Sequence, residues 1–327
     1  SATNAAGTGN ATLVYTIQLQ TCSTVGVVGW NFDSSLPPSN TTTNLIISDI
    51  SRGNNNGLTD LLTNEVASTG YTNSSGSNNI GAATVNGILN SATSTYFEFT
   101  LTPASNYRSK LNGLQFGSRS TNTGPMNYAI RSSLDNYTTD IASGSLLNNS
   151  VWTLISPTVA STQSGTGTAI TYRIYGYNGT GANSNIAVWR LDDLQVQVEM
   201  IRANPTQYAI TNSGNVYCAG GNGVATGLTG SQTGVNYQLV LNGNSNMGTA
   251  VSGTGSALSF GLQTQAGTYN VNAVYDNTTC LTAMSNSFTL NISTVNTWTG
   301  VTNSSWNDVS NWSCGILPNA LTTEIVI

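Results

Sequence analysis

The chain contains 327 residues, of which only 6% are charged, with eight basic residues, thirteen acidic residues and no histidine. A nucleic-acid partner is excluded, because so few basic residues, dispersed along the sequence, cannot neutralise a phosphate backbone. The missing histidine excludes Ser-His-Asp and Cys-His catalysis, and the lack of an apolar run of roughly 20 residues excludes membrane insertion.

Residues 1–21 contain a predicted strand in which Leu13, Tyr15, Ile17 and Leu19 share one face. That apolar face requires a partner. It belongs either to the last strand of a domain that lies upstream, or to a donor strand that completes a neighbouring copy by strand addition.

Residues 22–202 are predicted to form one large β-sandwich domain, because short apolar runs alternate with polar turns and no helical periodicity is present. The predicted strands in its first part cover residues 29–33, 45–50, 96–101, 111–116, 128–132 and 151–155. The dipeptide Asn112-Gly113 is interpreted as a hairpin turn.

Two further strands, at residues 170–177 and 189–199, end this domain. Apolar and polar residues alternate in both, so each strand has one dry face and one wet face. Because polar residues and the turn sequence Asn178-Gly179 follow the first strand, the two are predicted to pair with each other antiparallel.

Three motifs in this domain make it similar to a jelly-roll domain of many secreted bacterial surface proteins. They read GPMNYAIRSSLD at residues 124–135, RIYGY at 173–177 and WRLDD at 189–193. The resemblance implies the fold of carbohydrate-binding jelly rolls, but it carries no established ligand.

Residues 203–293 are predicted to form a second, smaller sandwich after a linker that contains Pro205. Its predicted strands cover residues 237–241, 257–263, 268–275 and 287–292. The motifs YCAGG at 217–221, LTGSQ at 228–232, GVNYQL at 234–239 and AGTY at 266–269 resemble an immunoglobulin-like repeat common in exported proteins of the Bacteroidota. The whole chain is therefore predicted to be all-β.

Residues 294–327 resemble the start of a further extracellular β repeat, with the motifs TWTG at 297–300, SWN at 305–307 and NWSCG at 311–315. Such segments often precede the sorting domain of proteins exported by the type IX secretion system, which implies the cell surface of a Gram-negative bacterium. Since the final β-branched run stops without a turn, we expect the 327 residues to be a piece of a longer polypeptide.

The four cysteines, at positions 22, 218, 280 and 314, allow three pairings. Cys218 and Cys280 both fall in the second domain and are predicted to be bonded to each other, whereas the partners of Cys22 and Cys314 stay open. A zinc site would require all four distant thiols. Structural disulfides in an oxidising compartment are therefore favoured.

Three acidic residues are candidates for a metal site. Adjacent Asp192 and Asp193 are not expected to act as a glycosidase pair, because neighbours on a strand point to opposite faces. Carbohydrate-binding jelly rolls often hold a structural calcium ion where the entry strand meets the last strand, and Asp33 with Asp192 or Asp193 occupies those places. In the alternative interpretation, Asp192 pairs with Arg190 or Arg173 while Asp193 is solvated.

Sugar binding would require exposed aromatic rings that stack on pyranose faces. The candidates are Trp152, Tyr175, Tyr177 and Trp189. In the alternative interpretation these rings pack under a loop. Trp30 and Phe97 are predicted to be core residues.

These observations favour a non-enzymatic extracellular segment of a cell-surface adhesin or filament protein. Its role would be to project, bridge or bind, with surface glycans or neighbouring copies of the same or related proteins as partners. The first alternative is an accessory carbohydrate-binding region of a secreted polysaccharide-active enzyme. The second is a filament subunit that assembles by strand exchange. Apart from structural calcium, no cofactor is predicted.

Overall fold

The computed structural model describes residues 22–76, 78–181, 187–276, 280–322 and 324–327. The predicted strand at residues 13–19 lies outside them, so its exchange between copies stays a prediction. Within the described ranges the chain forms β-strands and two single-turn 3-10 helices without any α-helix, which confirms the all-β class. No helix of this part of the chain has the length and apolar character needed to cross a membrane.

The chain divides into two compact units with a boundary between Ala203 and Asn204. The first unit contains a single 3-10 turn at Ser133–Asp135 and the strands β1 (Ser23–Trp30), β2 (Leu45–Ile47), β3 (Ser51–Gly53), β4 (Leu62–Thr63), β5 (Asn79–Ala83), β6 (Tyr96–Pro103), β7 (Tyr107–Ser120), β8 (Asn127–Ser132), β9 (Ala142–Ser145), β10 (Thr153–Ile155), β11 (Thr162–Gln163), β12 (Ile170–Tyr177) and β13 (Val188–Arg202).

These strands form two antiparallel sheets. Sheet A has the order β10-β7-β13-β5-β4, with β1 also paired to β13 and β11 to β7. Sheet B has the order β2-β6-β12-β8-β9, with β3 also paired to β6. Both sheets contribute to one apolar core, in which Tyr172 and Ile174 of β12 and Val196 of β13 are fully buried. Burial of these inner faces holds the sheets together, and the predicted β-sandwich is confirmed.

The predicted pairing of the strands at residues 170–177 and 189–199 is wrong, because β12 and β13 lie in different sheets. β12 pairs with β6 and β8, whereas β13 pairs with β7, β1 and β5. An alternating pattern shows which side of a strand is buried, but it does not identify the neighbouring strand. The two strands meet face to face instead: a Cβ atom built on Gly176 would lie 2.7 Å from Cε3 of Trp189.

A β-bulge in β13 joins two halves of that strand whose alternation is opposite. Trp189 and Leu191 are buried in the first half, and the next buried apolar residue, Leu194, follows three positions later. The register with β7 shifts between Asp192 and Gln195, where β13 has one additional residue. That residue lets both halves of the strand face the core.

A second bulge lies in β7 at Asn112-Gly113. The pairing passes from Gln197–Gly113 to Val198–Leu111, so Asn112 is the additional residue. The predicted hairpin turn at this dipeptide is therefore wrong, because β7 continues through it as one strand.

The second unit is also a sandwich. It contains a 3-10 turn at Val309–Asn311 and the strands β14 (Ile210–Asn212), β15 (Val216–Cys218), β16 (Val224–Leu228), β17 (Val235–Leu241), β18 (Ser245–Ser252), β19 (Leu258–Gln263), β20 (Gly267–Tyr275), β21 (Leu281–Ala283), β22 (Phe288–Ser293), β23 (Val295–Thr297) and β24 (Glu324–Val326).

One sheet of this unit has the order β14-β16-β19, and another has the order β15-β22-β20-β17-β18, with β21 also paired to β20. Both contribute to a single core that includes Leu228, Tyr237 and Tyr269. The predicted immunoglobulin-like sandwich is confirmed. β23 and β24 form a separate parallel pair.

The predicted Cys218–Cys280 disulfide is wrong, because Cys218 is bonded to Cys314, 96 positions later. β15 pairs parallel with β22 and places Cys218 opposite Ser293, just before the chain enters β23. Cys314 folds back onto the same place, where its backbone N–H donates to Oδ1 of Asn296. All four cysteines are disulfide-bonded, as is usual in an oxidising compartment.

Three tryptophans form the centre of the segment that follows β22. Trp298 stacks on Trp306 with ring centroids 5.2 Å apart, and Trp312 meets both rings edge-on. The indole N–H of Trp312 also donates to the backbone carbonyl of Trp306. The aromatic cluster and the disulfide together give this short segment a defined structure.

Replacing Cys218 and Cys314 together by serine should lower the free energy of unfolding of the second unit by on the order of 4 kcal/mol, because the bond closes a loop of 96 positions in the unfolded chain. Urea unfolding followed by tryptophan fluorescence measures the change. Peptide mapping without reduction should give a Cys218–Cys314 peptide, and a Cys218–Cys280 peptide would contradict the assignment.

Candidate functional site

The bulge in β13 coincides with unusual backbone geometry on two neighbouring strands. Asp193 adopts a left-handed conformation with a φ of 49°, and Phe32, just after β1, does so with a φ of 53°. Trp30 at the end of β1 is paired antiparallel with Leu194, so Asp193, one residue before Leu194, and Phe32, two residues after Trp30, lie at the same end of this pairing. A bulky residue such as buried Phe32 rarely adopts this conformation, and such strain concentrates at functional sites.

The two carboxylates of the bulge converge on Ser75. Asp193 Oδ2 accepts hydrogen bonds from the Tyr71 hydroxyl at 2.6 Å and from the Ser75 backbone N–H at 3.0 Å. Asp192 Oδ2 accepts from the Ser75 hydroxyl at 3.2 Å, and its Oδ1 accepts from the Asp193 N–H at 2.8 Å. The expectation that the two acids point to opposite faces is wrong, because the bulge interrupts the alternation of β13.

Both acids are buried, with 0% of Asp192 and 9% of Asp193 exposed. Burial raises the pKa of Asp192 to about 7, and the charge of Asp193 adds to this effect, while hydrogen bonds from Ser68 and Ser75 oppose it. Burial together with the hydrogen bond to Asp193 raises the pKa of Tyr71 as well. The two carboxylates therefore lower the stability of the fold, because they are buried and their hydrogen-bond donors are uncharged.

Neither arginine considered as a partner neutralises these acids. Arg190 forms an ion pair with Glu65, and Arg173 forms one with Glu98 at 2.7 Å. The alternative in which Asp192 pairs with an arginine and Asp193 is solvated is therefore wrong, since Asp193 is buried as well.

Asp33 lies at the margin of the acidic pair. Its Oδ2 accepts from the Asn31 amide at 2.6 Å, and the Asn31 carbonyl in turn accepts from the Ser75 hydroxyl at 3.3 Å. The described ranges of the chain contain no group of three or more His, Cys, Asp or Glu arranged for a metal ion, so Asp33 is not brought together with Asp192 and Asp193 as a third carboxylate. The two carboxylates, the Ser75 hydroxyl and the Asn31 carbonyl supply oxygen atoms, the ligands that a hard cation such as calcium prefers.

Three of the four predicted sugar-binding aromatics are buried, so the expected exposure is wrong for them. Trp189 and Tyr175 are 0% exposed and Trp152 is 5% exposed. Trp189 packs on Phe97 with ring centroids 5.1 Å apart and donates its indole N–H to the Ser118 hydroxyl at 3.0 Å. These rings contribute core packing, as do Trp30 and Phe97, whose predicted burial is confirmed.

Tyr175 shows why the alternation of β12 did not predict exposure correctly. Its side chain is on the outer side of β12, as predicted, but the loop between β5 and β6 covers it, and its hydroxyl donates to the Ser91 carbonyl at 3.3 Å. The ring of Tyr96 packs against its edge. Among the four candidates, Tyr177 alone stays partly exposed.

Sequence reasoning missed Tyr71, Ser68 and Ser75, which hold the acidic pair. They lie in a Ser-, Thr- and Asn-rich loop that is chemically indistinguishable from the other loops of this chain. The available signal was the opposite alternation of Trp189–Leu191 and Leu194–Val198, which predicts a bulge at the two aspartates.

No known family profile matches the chain, and no curated protein matches it. Among solved structures, it is similar to the K1 cleaved adhesin domain of Lys-gingipain from Porphyromonas gingivalis W83, with 13% identity and a TM-score of 0.27 over 55% of this chain and 99% of that one. It is also similar to the adhesin domain of Epf from Streptococcus pyogenes, with 12% identity and a TM-score of 0.23 over 65% of this chain and 76% of that one. Scores of this size carry no argument about function, which we base on the residues of the chain itself.

The raised pKa of Asp192 predicts that the first unit loses stability as the pH increases. In the folded state this pKa is about 7, above the ordinary 3.8. Between these two pH values the folded chain therefore binds more protons than the unfolded chain. In buffer with EDTA the free energy of unfolding should therefore fall between about pH 4 and about pH 7 and level off above. Urea unfolding at a series of pH values measures it.

Asp192→Asn should flatten this pH dependence, because the amide stays neutral at every pH. The matched control is Asp49→Asn, which removes an exposed carboxylate of the same unit. A wild-type slope that survives in Asp192→Asn would show that another group is responsible.

Proposed function

We propose that the chain is a non-enzymatic, extracellular segment of a cell-surface adhesin or filament protein, which projects, bridges or binds at the surface. The observation that carries this proposal is that the chain forms β-sandwich units, that its four cysteines are disulfide-bonded, and that only 6% of its residues are charged. Disulfides persist outside the cytoplasm, and a hydroxyl- and amide-rich surface is insensitive to changing salt. Export by the type IX system of a Bacteroidota species belongs to the same proposal, supported by the motifs at 217–239 and 297–315.

The chemistry of the acids supports a binding role over turnover. A glycosidase needs two carboxylates on either side of a bound sugar, with the bond to be cleaved between them. Asp192 is completely buried and both acids are committed to the same loop, so a substrate bond has no place beside them.

Adhesion of coated beads tests the function. Beads that carry the oxidised 327-residue chain should adhere to bacterial cells or to glycan-coated surfaces several-fold more than beads that carry the reduced and alkylated chain. Reduction and alkylation are carried out in denaturant, so this control keeps the sequence and loses the disulfides, and circular dichroism verifies that it is unfolded. Equal adhesion of both bead types, or release of reducing ends from a polysaccharide by the chain, would contradict a non-enzymatic adhesive role.

Calcium is proposed as a structural ion held by Asp192 and Asp193, with the Asn31 carbonyl and the serine hydroxyls as neutral oxygens nearby. The support is a buried carboxylate pair that forms no ion pair with a basic residue in the described part of the chain and that sits on strained backbone. When bound, the ion would supply the positive charge that the side chains around the bulge do not.

Calcium should raise the melting temperature of the first unit at about pH 8, and the increase should grow with the logarithm of its concentration. Asp192→Asn should remove most of the effect, whereas Asp49→Asn should keep it. Asp33→Asn reports whether the entry-strand acid contributes. Absence of calcium binding by calorimetry, or an equal effect in Asp192→Asn, would contradict the site.

A further inference from the structure

The outer face of sheet A carries a groove that none of the predicted sites includes. Its volume is about 290 Å3, and it crosses β7, β13 and β1. The residues that define it are Gln115, Gln195, Gln197, Gly113, Val27 and Pro157.

The two bulges explain the position of the groove. Between the register shifts at Asp192 and at Val198, β13 and β7 pair over only a short block, in which Gln195 faces Gln115 and Gln197 faces Gly113. Bulges bend a strand and increase its local twist, so a block between two of them becomes concave. Gly113 deepens the concavity, because no side chain fills the place opposite Gln197.

The lining of the groove is neutral and amide-rich. Gln115 donates from Nε2 to Oε1 of Gln195 at 2.9 Å, which fixes the orientation of both amides. Each amide presents a donor and an acceptor in one plane. Val27, 45% exposed, and Pro157 provide apolar surface at the sides. The described residues that line the groove include no charged and no aromatic side chain.

The groove continues toward the acidic pair. A smaller cavity of about 50 Å3 shares Gln195 with it and is lined by Asn40, Asn31 and Asp193. The open surface therefore extends along sheet A beyond the first block, with amides on both parts. An extended ligand fits such a surface better than a compact one.

A peptide that binds by strand addition does not fit this place. In this block β13 is paired with β1 on one side and with β7 on the other, so its backbone N–H and C=O groups already bond to neighbouring strands. The other edge of β7 is paired with β11 at Leu111 and with β10 from Phe116 onward, which leaves a stretch of only four residues, shorter than a typical strand. Recognition must come from side chains. Planar amides that offer a donor beside an acceptor match the hydroxyl groups of a sugar, and the small apolar walls match its C–H faces.

We propose that this groove binds a neutral polysaccharide chain. This inference rests on the proposed adhesive function and specifies its ligand class and its site. Because aromatic stacking is absent from the described lining, each site should bind weakly, and strong attachment would come from many copies acting together.

Affinity electrophoresis tests the proposal with the full 327-residue chain. Native gels contain one of a panel of neutral polysaccharides, namely xyloglucan, galactomannan, glucomannan, dextran or mixed-linkage β-glucan, or one of two anionic ones, alginate and chondroitin sulfate. We expect retardation in at least one neutral gel. Added salt should not reverse it, since no ion pair contributes.

Two variants address the groove in different ways. The double variant Gln195→Ala/Gln197→Ala removes two amides from the groove. Gly113→Val instead fills the groove and keeps every amide. Valine is compatible with the strand because the backbone of Gly113 is not left-handed. Both should abolish the retardation. The matched control is Gln163→Ala, an exposed glutamine of edge strand β11, which should bind like the wild type. Circular dichroism confirms that each variant is folded.

Three outcomes would overturn the proposal: no retardation in any neutral gel, retardation in the anionic gels alone, or unchanged retardation of a folded Gly113→Val.

The bead assay separates this proposal from the adhesive function. If Gly113→Val beads adhere as well as wild-type beads, adhesion stands and the groove is not its site. If wild-type adhesion survives periodate oxidation of the target glycans but is lost with Gly113→Val, the groove binds protein and the polysaccharide proposal fails.

Discussion

One additional residue in β13 is the constraint on which the first unit depends. The strand must bury Trp189 and Leu191 on one side of the bulge and Leu194 and Val196 on the other, and these pairs have opposite alternation. Without the bulge, half of the strand would turn its apolar residues to solvent. The fold accepts the local strain of Asp193 because core burial on both sides outweighs it.

The same bulge determines the chemistry of the unit. It brings two neighbouring carboxylates to one serine, where none of the described residues forms an ion pair with them, and it bends sheet A where the glutamine-lined groove lies. The acidic pair and the groove thus both result from the same bulge, and the small cavity beside Asn40 is lined by Asp193 of the pair and by Gln195 of the groove. An ion at the acids would act on the shape of the sheet that carries the groove.

Much of the fold was predictable from alternation, and the limits of that signal are physical. Strands such as 170–177 and 268–275 were found because one face of each is dry, but alternation is equally satisfied by a neighbour in the same sheet or by a facing sheet. That is why β12 and β13 were paired wrongly.

The predicted exposure of Tyr175 is wrong for a related reason. A side chain that points away from the core can still be covered by a loop from elsewhere in the sequence. The partner of Cys218 depends on a parallel strand contact with no sequence signature, and the loop that holds the acids resembles every other polar loop in the chain.

The covalent bond between Cys218 and Cys314 has a mechanical consequence for a molecule that is pulled from its two ends. The bond keeps Cys218 and Cys314 together although they lie 96 positions apart in the sequence. Fully extended, the stretch between them would add roughly 330 Å of contour length. The bond therefore limits how far this part of the chain can lengthen under shear.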